Sequence, residues 1–334
     1  MYKNIKYTLS LLIVLLWVSC SSKKVSLEES LTTFFAKEEV TIVVTDSGLG
    51  GISVAADVVN RMENSGVFSK VNVIFFNAQP HDDSGYNGMK SLKEKVTVFN
   101  NALNAMQEHF DPDLLLIGCN TLSVLYDYTD FSKKVNFPVK GIVDTGVELI
   151  TQKTKDSNAD VYIFATETTI NQGQHKAKLL QLGHEDTSIY TQSCPKLAGI
   201  IENNPDSDET KALVNQYVKD AAKDYIKNEK PLYVSYNCTH FGYVDRLFKE
   251  AFKTNGIKVA DFLNPNELMA DFMFTPTYRN RFEKTKVSVR VVSQPKLSEE
   301  KLNAIANLIK GTSVKTADAL LEYEFTPNYF KWQL

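Results

Sequence analysis

Through most of this chain, short apolar runs alternate with longer stretches in which apolar residues recur every three or four positions, the pattern of strands alternating with amphipathic helices. Residues 40–45 predict a first strand and 52–62 its helix; 71–77 predict a second strand, 78–89 a long polar loop and 91–110 another helix. Asp111-Pro112-Asp113 reads as the turn into a third strand at 114–117. Further strands are predicted at 139–143, 161–165, 188–191, 232–236 and 258–262, with helices between them, the clearest at 209–227. A strand at 287–292 and a helix at 299–310 continue the alternation. The expected fold class is α/β: two similar domains with mainly parallel sheets, in which ligands sit at the carboxyl ends of strands.

The N-terminus breaks this pattern. Lys3 and Lys6 precede an apolar run at 7–18, shorter than the roughly 20 residues of a membrane-spanning helix, and Ser19-Cys20 closes it. The segment reads as an export signal. Its end is similar to the lipobox of bacterial lipoproteins, with Trp17 where that pattern carries Leu, Val or Ile. Cys20 would then become the lipidated N-terminus. The expected organisation is a signal peptide at 1–19, a polar tether at 20–38, a first domain from 39–142 with 263–334, and a second from 143–262. The expected location is the cell envelope, with a lipid anchor on the periplasmic side or at the outer membrane.

Composition narrows the chemistry. The 334 residues carry a net charge of −3, which provides no basic field for nucleic acid and favours a small-molecule partner. With Cys20 assigned to lipid, Cys119, Cys194 and Cys238 remain, an odd number that does not describe a disulfide scaffold. Cys194, in Gln192-Ser193-Cys194-Pro195, reads as a small buried hydrophobe.

The other two thiols share a context. Cys119 ends Leu114-Leu115-Leu116-Ile117-Gly118-Cys119 and opens onto Asn120-Thr121; Cys238 ends Leu232-Tyr233-Val234-Ser235-Tyr236-Asn237-Cys238 and opens onto Thr239-His240. Each half could bring one thiol to a shared cleft as an acid/base group. A thiol with a pKa near 8.5 needs help to ionise, and an expected helix start after each cysteine would supply it. His240 could exchange a proton nearby. The first strand ends in Asp46-Ser47-Gly48-Leu49-Gly50-Gly51, a turn that could offer backbone N–H groups to an anion or be capped by Asp46. A Cys-x-His zinc site lacks the paired ligand spacings of structural zinc, so no metal is expected. A Cys-His-Asp hydrolase would use Cys238 and leave Cys119 without a role.

The motifs Asp46-Ser47-Gly48-x-Gly50-Gly51, Cys119-Asn120-Thr121 and Cys238-Thr239-His240 resemble, in order and spacing, those of the glutamate racemases of the aspartate/glutamate racemase family. Thr166-Glu167-Thr168-Thr169-Ile170 and Ser193-Cys194-Pro195 are similar to two further segments of that family. The resemblance implies an active site between two domains, no cofactor, and an acidic amino acid as substrate. It implies Cys119 and Cys238 as the two bases, Asp46 assisting the first, and His240 with Glu167 assisting the second. Ser47, Asn87, Gly88, Asn120, Thr121, Thr169 and Thr239 would bind substrate. Expected partners are the amino acid, the membrane through Cys20 and, as an open option, a second copy in a homodimer. Several positions depart from the family: Tyr86-Asn87-Gly88 replaces Pro-Tyr-Gly, Asn237 and Thr168 replace glycines, and Phe241-Gly242 replaces Tyr-Pro. Aspartate racemase is an alternative of the same chemistry, and a non-catalytic envelope lipoprotein binding an acidic small molecule is one of another class. The aromatic C-terminus, 323–334, suggests no function of its own.

Overall fold

The computed structural model describes residues 26–81, 85–226 and 228–333. In chain order the first elements are α1 (Leu27–Ala36), β1 (Glu39–Asp46), α2 (Ile52–Glu63), β2 (Lys70–Asn77), α3 (Leu92–Phe110), β3 (Leu114–Ile117), α4 (Asn120–Tyr126) and β4 (Val139–Gly141). A second series follows: α5 (Ile142–Thr154), β5 (Asp160–Ala165), α6 (Glu167–Gln172), α7 (Gln174–Gln181), β6 (Ile189–Ser193), α8 (Leu197–Asn203), α9 (Asp208–Asp224), β7 (Leu232–Asn237), α10 (Asp245–Thr254) and β8 (Asp261–Leu263). The chain then returns with β9 (Lys286–Ser293), α11 (Glu299–Ile309), α12 (Val314–Leu321) and β10 (Glu324–Phe325).

Two all-parallel sheets result. The first runs β10-β9-β2-β1-β3-β4 and the second β6-β5-β7-β8. Strands buried on both faces explain the continuous apolar runs of the sequence. In β1, Ile42 and Val44 pack against α2 and α11 on one face, and Val43 packs against α3 on the other. In β7, Val234 and Tyr236 point with Cys238 toward α9 and α10. These parallel layers bring the ends of β1, β3, β5 and β7 toward a common cleft.

Helix starts follow local chemistry. Ser207 accepts the Thr210 N–H at 3.1 Å and opens α9, with Asp208 and Glu209 in the first turn; Val214, Val218 and Ala221 form its buried stripe. At the other end of α3, Asp111 adopts a left-handed φ of 44°, and the turn before β3 is fastened by Asp113 accepting the Thr41 N–H at 2.7 Å.

Four local expectations change. Part of the segment expected as a loose tether is α1, whose Phe34 and Phe35 enter the first core and whose Ser26 caps the helix. Phe35 stacks on Tyr278 with ring centroids 3.7 Å apart, so this segment is part of the folded body. The strand expected at 139–143 stops at Gly141, and Ile142-Val143 already belong to α5. Cys238 does not stand at the start of an α-helix: the chain turns through Thr239 and His240 into a 3-10 segment, Phe241–Val244, before α10. The C-terminus adds β10 to the sheet edge and packs Tyr329, Phe330 and Trp332 against the α3 face. Residues 1–19 and Cys20 lie outside the described residues, and among those described no helix is long and apolar enough to cross a membrane.

Candidate active site

Cys119 and Cys238 lie on opposite domains and face one cavity of about 610 Å³, each only 5% exposed. The glycine turn after β1 lies between them because the second domain packs directly onto it. A β-carbon on Gly50 would come within 2.6 Å of His240 Nδ1, and one on Gly48 would collide with the Glu202 carboxylate. A side chain at Gly50 would run into the Thr239 hydroxyl and the His240 ring, and one at Gly48 would displace the Glu202 carboxylate from its partners.

The Cys119 half is built by β1 and β3. Ser47 Oγ lies 3.1 Å from Cys119 Sγ. Asp46 accepts the Ser47 N–H at 2.5 Å, the Gly51 N–H, and the Thr239 hydroxyl at 2.7 Å from the second domain. It therefore caps the turn and serves the cleft together. Burial pushes the Cys119 thiol well above its ordinary range, and the Asp46 charge adds to this; Ser47 and the Leu122 N–H of α4 act in the opposite direction without prevailing. The expected helix N-terminus is present here, but in the unliganded protein Cys119 is a neutral thiol.

The Cys238 half differs. His240 Nδ1 lies 3.7 Å from Cys238 Sγ, and its Nε2 lies 2.6 Å from Glu202 Oε1. Glu202 also accepts the Leu49 N–H at 2.6 Å, with Lys301 Nζ 3.5 Å from its second oxygen. Burial alone would lower the His240 pKa, yet the bonds to Cys238 and Glu202 hold it well above the ordinary value of 6.5. Burial would likewise raise the Glu202 pKa, and His240, Lys301 and the Leu49 N–H together keep it lowered. A charged imidazole beside Sγ is the electrostatic partner a thiolate needs.

This geometry corrects the role expected for Glu167. Its side chain is exposed at the cavity wall, and the carboxylate bonded to His240 is Glu202. Glu202 and Lys301 were missed in the sequence. The available signal was Leu197 followed by Ile201-Glu202, which places the glutamate one position from the buried stripe of a short helix.

The expected binding residues divide into groups. Ser47, Asn87, Gly88, Asn120, Thr121 and Thr239 line the cavity; Thr169 does not, and is buried behind it. Thr121, Thr166 and Thr169 form a hydroxyl chain with O–O distances of 2.7 and 3.0 Å. Asn87 accepts the Thr168 N–H at 3.1 Å across the domain boundary. The Thr239 hydroxyl is committed to Asp46. Asn120 is 1% exposed and neither amide atom has a partner within the protein, a cost expected to be recovered when a polar ligand enters. Cys194 also reaches the cavity wall, with its thiol pushed up by burial. Among the described residues, no cluster of three His, Cys, Asp or Glu side chains could hold a metal ion.

The fold and cleft define a two-domain α/β protein with an opposed pair of thiols, each supported by its own carboxylate. No family model matches the chain. It is 28% identical over 235 residues to glutamate racemase of Campylobacter jejuni, spanning 68% of this chain and 85% of that protein. It is 26% identical over 200 residues to the Lysinibacillus sphaericus glutamate racemase, spanning 60% and 69%. Among solved structures, C. jejuni glutamate racemase superposes with a TM-score of 0.58 at 22% identity, covering 81% of this chain and 96% of that one. The Francisella tularensis glutamate racemase in complex with D-glutamate gives 0.61 at 16% identity, covering 81% and 94%. The chain is similar in sequence to these glutamate racemases and shares their fold.

Proposed function

We propose that this protein is a cofactor-independent amino-acid racemase, with glutamate as its substrate. The observation that carries this reading is the pair of cavity-facing thiols on opposite domains, one held neutral and the other beside an imidazolium. Inverting a stereocentre requires a base on one face of the α-carbon and an acid on the other. Cys238, beside His240, takes the α-proton of one enantiomer while Cys119 delivers its proton to the opposite face. The reverse direction exchanges their roles. Asp46 and Glu202 act through the hydrogen bonds already described, and Asn120 offers a donor and an acceptor to substrate.

The test is incubation of L- and D-glutamate separately in deuterated water. Racemisation with α-deuterium in the product is expected. Complete retention of α-hydrogen in both enantiomers, with reduced thiols verified, would overturn the reading. For location, we propose export and anchoring of the mature chain through lipid on Cys20, so that the enzyme acts on envelope-derived acidic amino acids. Fractionation should find the wild type with membranes and a Cys20→Ser variant released from them or unprocessed; membrane association independent of Cys20 would refute the anchor.

A further inference from the structure

Glu202 belongs to α8 of the second domain, yet two of its partners come from the first. Its Oε1 takes the Leu49 N–H and His240, and its Oε2 faces the Lys301 ammonium of α11. The side chain of Glu202 is 6% exposed and that of Lys301 23%. A carboxylate so buried requires compensation for both oxygens. The other half of the cleft is arranged reciprocally: Asp46 of the first domain accepts the Thr239 hydroxyl of the second.

We propose that Lys301 is a positioning residue for the Cys238 half of the reaction, reaching across the domain boundary to hold Glu202 against His240 and thereby favouring the Cys238 thiolate. The inference rests on the racemase reading of this cleft. Were Cys238 a thiolate, it would form with the imidazolium, the carboxylate and the ammonium a charge-balanced set of four. Removing the ammonium leaves a net negative charge in a buried place, so the set binds its protons more tightly. Cys238 Sγ lies 3.7 Å from the imidazole that Glu202 holds, so the thiol is where the change is read. Other titratable groups around the same cavity are Cys119, Asp46 and Tyr86 across the cleft, Glu167 of α6, Cys194 after β6 and Lys196 before α8, and the Tyr243 ring lies 6.4 Å from that of His240. Asp46 and Glu167 oppose a thiolate and Lys196 favours one, but Lys301 alone of these cations is paired with Glu202.

The experiment measures alkylation of Cys238 by iodoacetamide against pH, read by peptide mapping, in the ligand-free full chain. Wild type, Lys301→Met and Lys301→Arg are compared. The Met variant is expected to raise the alkylation midpoint by about one pH unit, which is about tenfold slower modification below the midpoint, while Arg stays near wild type. An unchanged midpoint in the Met variant, or an Arg variant shifted as far as Met, would overturn the proposal. So would a Met variant that raises only KM, which would make Lys301 a substrate ligand. Alkylation needs no turnover, so the midpoint comparison, unlike the KM comparison, is independent of whether the wild type racemises glutamate.

Discussion

Glu202→Gln isolates the charge on which the Cys238 half depends. The amide keeps an oxygen for the Leu49 N–H and for His240, so shape and most packing survive. What is lost is a buried charge pair with N–O separation of 2.6 Å. A charge-assisted hydrogen bond is worth about 1.5–3 kcal/mol and a neutral one about 0.5–1.5, so the exchange costs the imidazolium roughly 1–1.5 kcal/mol. Unit charges about 4 Å apart at an effective dielectric of about 20 give roughly 4 kcal/mol as the other bound. At 1.36 kcal/mol per unit, His240 should titrate about one to three pH units lower in the variant. Imidazole NMR titration reads this directly. The linkage sign follows from both partners. A raised His240 pKa contributes stability below its ordinary 6.5 that is lost as pH rises through the folded value; a lowered Glu202 pKa contributes above its ordinary 4.5 and is lost as pH falls through its folded value. The pair therefore stabilises the fold most between those limits, and the variant should lose most stability there. Because enantiomers are equal in free energy, kcat/KM must fall equally in both directions, by about tenfold to a hundredfold at neutral pH. Unchanged His240 titration would refute the assigned partnership.

Three further outcomes follow from the same geometry. Cys119→Ser and Cys238→Ser should each reduce racemisation at least about 10²-fold, measured by circular dichroism of glutamate; near-wild-type turnover in either would remove that thiol from the two-base scheme. Asn120→Ala should raise KM without destabilising the free protein, because the amide has no internal partner to lose; a clear drop in denaturation midpoint with KM unchanged would make the residue structural. Phe34→Ala should cost about 3–5 kcal/mol in chemical denaturation, since the ring is 1% exposed and packs on Phe68, whereas a detachable α1 would leave stability unchanged.

The sequence made the strands visible because parallel strands buried on both faces are written as unbroken apolar runs, and the glycine turn visible because Gly48 and Gly50 must yield space to His240 and Glu202. Position along a strand located Cys119 and Cys238. It could not locate their assistants. Glu167 lies in a conspicuous motif but faces solvent, whereas Glu202 follows Ile200-Ile201 on a short helix and gains its role only when the two domains meet. Lys301 is hidden for the same reason, being paired across the cleft to a residue 99 positions away. The segment around α1 misleads by composition: Ser, Lys and Glu dominate it, and the adjacent aromatics Phe34-Phe35 were the indication that one face is buried. Similarly, the aromatic C-terminus covers a sheet edge and the α3 face, a role with no local sequence signature.

A symmetric reaction does not require symmetric resting groups. Each turnover must begin with one thiolate and one thiol, so a cleft with two identical environments would divide a single proton between both faces and leave part of the protein in the wrong state for either enantiomer. Here the environments differ. Burial and Asp46 keep the proton on Cys119, while the opposite thiol faces an imidazolium held by Glu202. In the proposed reaction this asymmetry would favour the enantiomer whose α-proton faces Cys238, and its turnover would leave the protein poised for the other. Return to the resting distribution then needs proton exchange between the two halves, through solvent or through substrate of the opposite hand. The Asp46 to Thr239 bond and the Leu49 to Glu202 bond cross the same boundary in opposite senses, so each carboxylate ties the two halves of the cleft together while keeping partners in its own domain.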